Sequence, residues 1–364
     1  MEKRTPQTFA VLLKKLILTP SEFSINDLSE AIHGLAEVRP PAVHPAQIGS
    51  FLTGLYVAGR DKEPEVVAEC AKILREYSIP IALSDDNSEE VVCDIVGTGG
   101  DGHDTFNVST SAGIIAAASG LKVFKHGNKA STSSSGSADI LMALECPVTE
   151  IPPSALAQIS SESSFLFLFA PLYHPSLAPL APIRKSLPFP TIFNILGPLL
   201  NPCRPSAVII GVYCVLLGDV FIQALRVLGV KRAWVVCGDE GLDEISPAGT
   251  THVWDLENDK ITRKEVTPAS FGLASHPLSS VRGGDALQNA STLITLLNGK
   301  VAETDPIENY VMMNTAALLF VAGKVSNLID GVKLARELVN SGKAAQVLET
   351  FRMVSQKAVL ESQK

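Results

Sequence analysis

The stretch Asp94-Ile-Val-Gly-Thr-Gly-Gly-Asp-Gly-His-Asp-Thr-Phe-Asn-Val-Ser109 passes from an apolar run through a glycine turn to a polar helix start. Glycines at 97, 99, 100 and 102 remove side chains where backbone must approach an anion, and leave amides free to point at oxygens. Residues 91–96 read as a buried strand. Asn107, Ser109 and Thr110 are natural N-cap residues before a helix over 112–119, whose N-terminus would face the same anion. This order predicts a ligand that carries phosphate. On glycine content alone a plain turn is as good a reading. The stretch is not the ATPase phosphate loop, because no Gly-Lys-Ser/Thr follows, and it is not a clean dinucleotide fingerprint.

A second polar run shifts the balance. Lys125-His-Gly-Asn-Lys-Ala-Ser-Thr-Ser-Ser-Ser-Gly136-Ser-Ala-Asp139 follows the short apolar segment 121–124 and precedes helical spacing at Ile140, Leu141 and Leu144. Two consecutive strand-loop-helix units in a parallel sheet place both loops at the carboxyl ends of their strands, where ligands bind.

With these runs and three further signatures, the chain resembles the anthranilate phosphoribosyltransferase family. The runs hold Gly97-Thr-Gly-Gly-Asp101, Thr105-Phe-Asn107-Val-Ser109-Thr110, Lys125-His-Gly-Asn128 and Gly136-Ser137-Ala-Asp139; the others are Arg184 in Pro-Ile-Arg-Lys, Thr191-Ile-Phe-Asn-Ile-Leu-Gly-Pro-Leu-Leu-Asn-Pro202, and Gly241-Leu-Asp243-Glu244-Ile-Ser. They keep the family's order and spacing from about residue 45 onward. The resemblance implies condensation of anthranilate with phosphoribosyl pyrophosphate, release of pyrophosphate, and a requirement for magnesium. It implies an α/β fold with a small discontinuous helical domain and a larger domain around a mostly parallel sheet flanked by helices. The boundaries expected are 1–90 for the helical domain, completed near 153–187, with 91–152 and 188–364 forming the phosphoribosyl-pyrophosphate-binding domain.

By the same resemblance, Gly97, Thr98, Gly99, Gly100 and Asp101, with Thr105, Asn107, Val108, Ser109 and Thr110, bind phosphoribosyl pyrophosphate. Lys125, Asn128, Lys129, Ala130, Ser131, Thr132, Ser133 and Ser137 form a second wall for it. Ser109, Asp243 and Glu244 are the implied magnesium ligands, and Asp101, Lys125 and His126 the implied catalytic set. Anthranilate falls to Gly97, His126, Asn128, His174 and Arg184, with Arg184 on the carboxylate. Magnesium prefers hard oxygens and sits on one or two carboxylates plus substrate phosphates, which an Asp-Glu pair suits. Without the resemblance the acidic pair reads as a solvated turn, the serine run as a linker, and Arg184 as a surface residue. Lys129 stands where many family members have arginine, replacing a bidentate grip by a point charge. Asp104 adds a carboxylate of undetermined role.

The amine of anthranilate is a weak nucleophile, because its lone pair is delocalised into the ring. The chemistry expected is a loose, oxocarbenium-like displacement that rests on positioning and charge. Two other readings use the same architecture: a pyrimidine nucleoside phosphorylase, and a non-catalytic relative that binds nucleic acid.

Composition limits these choices. The 364 residues suffice for two domains, and a net charge of −8 with no basic stripe argues against a nucleic-acid partner. Lysines 122, 125 and 129 stand against that acidic background, as a small anionic substrate requires. Six scattered cysteines without Cys-x-x-Cys spacing read as free thiols of a reducing compartment. The longest uncharged stretch, 163–183, is broken by Pro171, Pro175, Pro179 and Pro182, so a soluble, cytosolic protein is expected.

The first ninety residues show helical spacing, with Ser24-Ile-Asn-Asp and Pro64-Glu-Val-Val as helix starts. Strands are expected at 208–212, 233–236 and 251–255, C-terminal helices at 308–321 and 328–339, and hinges at 84–92 and 187–192. The resemblance also implies a homodimer paired through the helical domain, with the face near Phe51, Leu52 and Leu55 as the candidate contact.

Overall fold

A computed structural model describes residues 5–37, 43–81, 91–130 and 133–364. Four helices open the chain: α1 (Pro6–Leu18), α2 (Ile25–Ala36), α3 (Pro45–Val57) and α4 (Pro64–Glu76). The expected starts hold. Ser24 caps α2 in a reciprocal bond with Asp27, and Pro64 takes the first turn of α4, where its missing N–H costs nothing.

An alternating region follows: β1 (Val92–Gly97), α5 (Val108–Ala117), β2 (Lys122–Gly127), α6 (Ser137–Ala143), α7 (Leu156–Glu162), β3 (Phe165–Phe169), α8 (Ala170–Tyr173), α9 (Ala181–Ser186), β4 (Ala207–Gly211), α10 (Val215–Val227) and β5 (Arg232–Gly238). A hairpin of β6 (Thr251–Glu257) and β7 (Lys260–Val266) comes next. The chain ends in α11 (Ala286–Leu297), α12 (Pro306–Val321), α13 (Leu328–Asn340) and α14 (Lys343–Ser362).

The seven strands form one sheet in the order β3-β2-β1-β4-β5-β6-β7. The first five are parallel, and β6 and β7 are antiparallel. Successive strands β1 and β2 progress outward on one side, whereas β4 and β5 lie on the other. The carboxyl ends of β1 and β4 therefore flank a switch point, where a crevice opens.

Alternate residues of the central strands serve different cores. Ala207, Ile209, Trp234 and Val236 pack with α5, α12 and their neighbours. Val208, Ile210, Ala233 and Val235 pack with α10 and with the N-terminal helices. Both faces of the sheet are thus covered, as its continuous apolar strands require.

Three expectations need correction. The segment near 153–187 is not helical throughout, because Phe165-Leu-Phe-Leu-Phe169 pairs with β2 as the sheet's edge strand. Its apolar run is buried on both faces, and this tertiary environment outweighs the helical turns on either side. Phe51, Leu52 and Leu55 are at most 1 % exposed, so they fill the core beneath α3 and present no contact face. Lys125 does not begin a loop; it lies in β2, 2 % exposed. Of the expected hinges, 84–90 lie outside the described residues.

All six cysteines are free thiols. Among the described residues no helix is long and apolar enough to cross a membrane.

Candidate active site

A cleft of about 670 Å³ opens at the switch point. One wall is the glycine loop after β1, another is the start of α5, and a third is the end of β2 with the loop that follows. Asp243 and Glu244 line its floor, and Arg184 and Phe193 its far end.

The glycine loop is shaped by its neighbours. Gly99 and Gly100 have φ of 71° and 81°, the left-handed region that side chains disfavour. Gly99 N–H donates to Asp243 Oδ2 at 2.6 Å, so one loop amide meets a carboxylate of the protein itself. Gly97 and Gly211, at the ends of β1 and β4, are glycine because Asp243 lies against both. A Cβ on Gly211 would stand 1.5 Å from the Asp243 carbonyl oxygen, and one on Gly97 2.3 Å from Oδ2.

Helix α5 begins one turn earlier than the sequence suggested. Asn107 is its N-cap residue, and Ser109 and Thr110 lie inside the first turn. The Asn107 side chain makes no cap bond; its Nδ2 donates to Ser135 O and its Oδ1 accepts from Asn289 Nδ2. Val108 N–H donates to the Phe106 carbonyl, and the Ser109 and Thr110 amides are left for an anion, as helix N-termini provide.

Beneath them the charges crowd. Asp243 and Glu244 are 8 % and 9 % exposed. Burial, with Asp101 beside it, pushes the Asp243 carboxyl up to about 7. Burial and the neighbouring Asp243 raise Glu244 well above the usual carboxylate range. Lys125 is the counter-charge: its ammonium donates to the Ile95 carbonyl and to Ser109 Oγ at 3.1 Å, and it attracts Asp94, Glu244 and Asp243. Burial nonetheless lowers its pKa. The resemblance puts Lys125 in the wall that meets phosphoribosyl pyrophosphate, but the fold sets it under the acidic pair, on a strand. Lys122 is also reassigned, because its Nζ donates to Ser160 O at 2.8 Å, away from the cleft.

Among the described residues no set of three or more His, Cys, Asp or Glu side chains is arranged to hold a metal by itself. Two adjacent buried carboxylates whose charge is under-compensated, with the Ser109 hydroxyl against Glu244, instead suit a hard divalent cation that takes further ligands from a bound anion.

The loop after β2 is pinned at two points. Asp139 Oδ2 accepts from Ala130 N and Gly136 N at 2.7 and 2.9 Å. Asp104, unassigned from sequence, accepts from Ser134 N at 3.0 Å and Ser134 Oγ at 2.6 Å, and these bonds hold its carboxyl below the usual range. It links the two anion loops. Asn128, Lys129, Ala130, Ser133 and Ser137 line the cleft; Ser131 and Thr132 lie outside the described residues.

At the far end, Arg184 Nη2 donates to Phe193 O at 3.2 Å, and its guanidinium sits 5.4 Å from the Phe193 ring centroid. Arg184 Nε is buried without a partner among the described residues, and burial lowers the group's pKa. His126 lines the cleft with His174 behind it, ring to ring at 5.2 Å. Burial and mutual repulsion press His126 down to about 3, and burial presses His174 to about 4, so both are neutral at physiological pH.

The cleft thus gathers Gly97, Thr98, Gly99, Gly100, Asn107, Ser109, Thr110, Lys125, His126, Arg184 and the acidic pair. Four expected residues stand off its wall. Asp101 flanks Asp243, Thr105 bridges to Arg282, Val108 is buried beneath α5, and His174 backs His126. Phe193, Asn194 and Gly197 of the 191–202 signature line it without having been given a role, and Pro190 and Tyr213 line it without having been singled out. Tyr213 follows the β4 strand expected at 208–212, and its place at a carboxyl end was the available signal.

Residues 89–345 match the glycosyl transferase family, a/b domain. The chain is 50 % identical over 312 residues to the anthranilate phosphoribosyltransferase of Schizosaccharomyces pombe, covering 86 % of this chain and 88 % of that one. It is also similar to solved structures of the Saccharomyces cerevisiae anthranilate phosphoribosyltransferase. One, in complex with PRPP and Mg, superposes with a TM-score of 0.89 at 35 % identity, over 97 % of this chain and 99 % of that one. Another, with 4-fluoroanthranilate, gives 0.86 at 34 % identity over the same shares.

Proposed function

The chain belongs to the anthranilate phosphoribosyltransferase family, and from that membership we propose that it transfers the 5-phosphoribosyl group of phosphoribosyl pyrophosphate to the amine of anthranilate, releasing pyrophosphate. The observation that carries this reading is the polarity of one cleft. Amides and buried acids stand at one end, and a guanidinium over an aromatic ring at the other.

Each half has a task. The Gly100 amide and those of the first turn of α5 cradle the diphosphate, the Thr98 and Gly99 amides being held by Gly211 and Asp243, and Lys129 with Ser133 and Ser137 faces the ribosyl phosphate. Ser109, Asp243 and Glu244 would hold magnesium, which when bound neutralises charge on the departing pyrophosphate. Lys125 holds the acidic pair in place, and Asp101 flanks it. Arg184 takes the anthranilate carboxylate, against Phe193 and Pro190. Neutral His126 and Asn128 complete the wall where the ring lies and the amine is aimed at the anomeric carbon. Such positioning replaces a strong nucleophile, because a loose transition state gains more from fixed dipoles and alignment than from basicity.

Purified protein supplied with anthranilate, phosphoribosyl pyrophosphate and magnesium is expected to consume anthranilate fluorescence. Phosphorolysis of uridine or thymidine without that loss would instead establish a nucleoside phosphorylase. Arg184→Ala is expected to raise the anthranilate KM about 10- to 100-fold, the worth of a charge-assisted hydrogen bond, and to spare the phosphoribosyl pyrophosphate KM. An unchanged anthranilate KM would remove the assignment.

The homodimer is also proposed through the helical region, but by a different face from Phe51, Leu52 and Leu55. Val11, Ile17, Leu18, Tyr56 and Val57 are exposed apolar residues of α1 and α3, and Val57 is 78 % exposed. Val57→Glu is expected to sediment as a monomer where the parent is a dimer; equal sedimentation would place the contact elsewhere.

A further inference from the structure

A second basic cleft lies at the opposite, amino end of the sheet. It has a volume of about 430 Å³ and runs between the end of α4 and the turn that leads from α10 into β5. Four cations line it, Lys72, Arg75, Arg204 and Lys231, against the single carboxylate Glu76. Lys72 is shared with Glu69, at 3.4 Å.

Its floor is built. Arg75 is 9 % exposed, and its Nε donates to the Leu199 carbonyl at 2.5 Å, which fixes the plane of the guanidinium. Among the described residues no carboxylate pairs with it, and its neighbouring charge is the like-charged Arg204. Burial and that repulsion lower Arg75 to about 10. A buried guanidinium that lines a cavity beside a second one is costly unless an anion completes the set. The left-handed backbone of Arg204, φ 49°, holds its side chain over the same cavity at some strain.

We propose that this cleft is a binding site for a small polyphosphate anion, held bidentately by Arg75 and Arg204 with Lys231 at the rim. The geometry matches the ligand, since a fork of fixed N–H donors suits phosphate oxygens, and the cavity has room for a diphosphate. The site is distinct from the cleft at the carboxyl ends of the strands and does not depend on the reaction proposed there. It still touches that cleft: Leu199 and Leu200 lead directly to Asn201, whose Nδ2 donates to Asp94 Oδ2 at 2.8 Å and to the Phe124 carbonyl at 2.7 Å, beneath Lys125 and His126.

Calorimetric titration of the full chain with inorganic pyrophosphate, in magnesium, tests this. The parent is expected to show two classes of site. Arg204→Gln with Lys231→Gln is expected to weaken one class about tenfold or more, as loss of a charge-assisted contact implies, while leaving the other class and any turnover unchanged. Identical titrations for parent and variant, or a single class in both, overturn the proposal. Because the readout is binding, a protein without transferase activity would still decide it. Circular dichroism of the variant confirms folding, and Arg204→Lys is expected to restore part of the lost affinity.

Discussion

Asp243→Asn combined with Glu244→Gln is expected to lower kcat/KM on the order of 10³-fold or more, while the fold persists. The two carboxylates are buried side by side; burial and Asp101 make ionisation of Asp243 harder, and burial and Asp243 make that of Glu244 harder. Neutral isosteres keep the shape and remove the charge that would attract magnesium. Full activity in the double variant would remove the metal assignment.

Stability should move the other way. The folded chain pushes Asp243 up to about 7 from an ordinary 3.8. Between those values the folded state holds a proton that the unfolded state has released. The contribution is therefore fully present below about pH 4 and is lost as the pH rises through about 7. In magnesium-free buffer, Asp243→Asn should gain melting temperature relative to the parent at pH 8 and much less at pH 4. An equal difference at both pH values would show that the carboxyl is not raised.

Gly211→Ala is the second large effect. Its Cβ would meet the Asp243 carbonyl oxygen at 1.5 Å, and that oxygen is backbone, so no side-chain rotation relieves it. Either the loop carrying Asp243 and Glu244 moves off the strand ends, or the protein loses ~3 kcal/mol, the upper end of overpacking costs. Both outcomes remove turnover. A fully active Gly211→Ala protein of parental melting temperature would show that the close approach of loop and strand is not required.

Much of this could be read from the chain because the informative signals are local. A glycine run after an apolar run and the cap-forming Ser24 act within a few residues and stand where expected, whereas α5 starts one turn early at Asn107, whose side chain is drawn off to Ser135 and Asn289. Less was legible where distant segments decide the outcome. β7 reads as a charged segment, Lys260-Ile-Thr-Arg-Lys-Glu-Val266, and is a strand because β6 pairs with it at the edge of the sheet, where one face stays wet. Lys125 looks like loop chemistry beside His-Gly-Asn, yet it is buried, because Asp94 within β1 and Asp243 and Glu244 in the loop after β5 meet it. The second basic cleft joins positions 75, 204 and 231, which no spacing rule connects.

The alternation along β4 has a mechanical consequence. Odd-numbered residues lean on one core and even-numbered ones on the other, so the two hydrophobic masses are separated there by a single layer of main chain that runs out at Gly211. A change of side-chain volume in either mass tilts that ribbon like a lever whose tip is the seat of Asp243. Residues far from the cleft can thereby retune its floor, and selection acting on packing also acts on the proposed seat of the diphosphate.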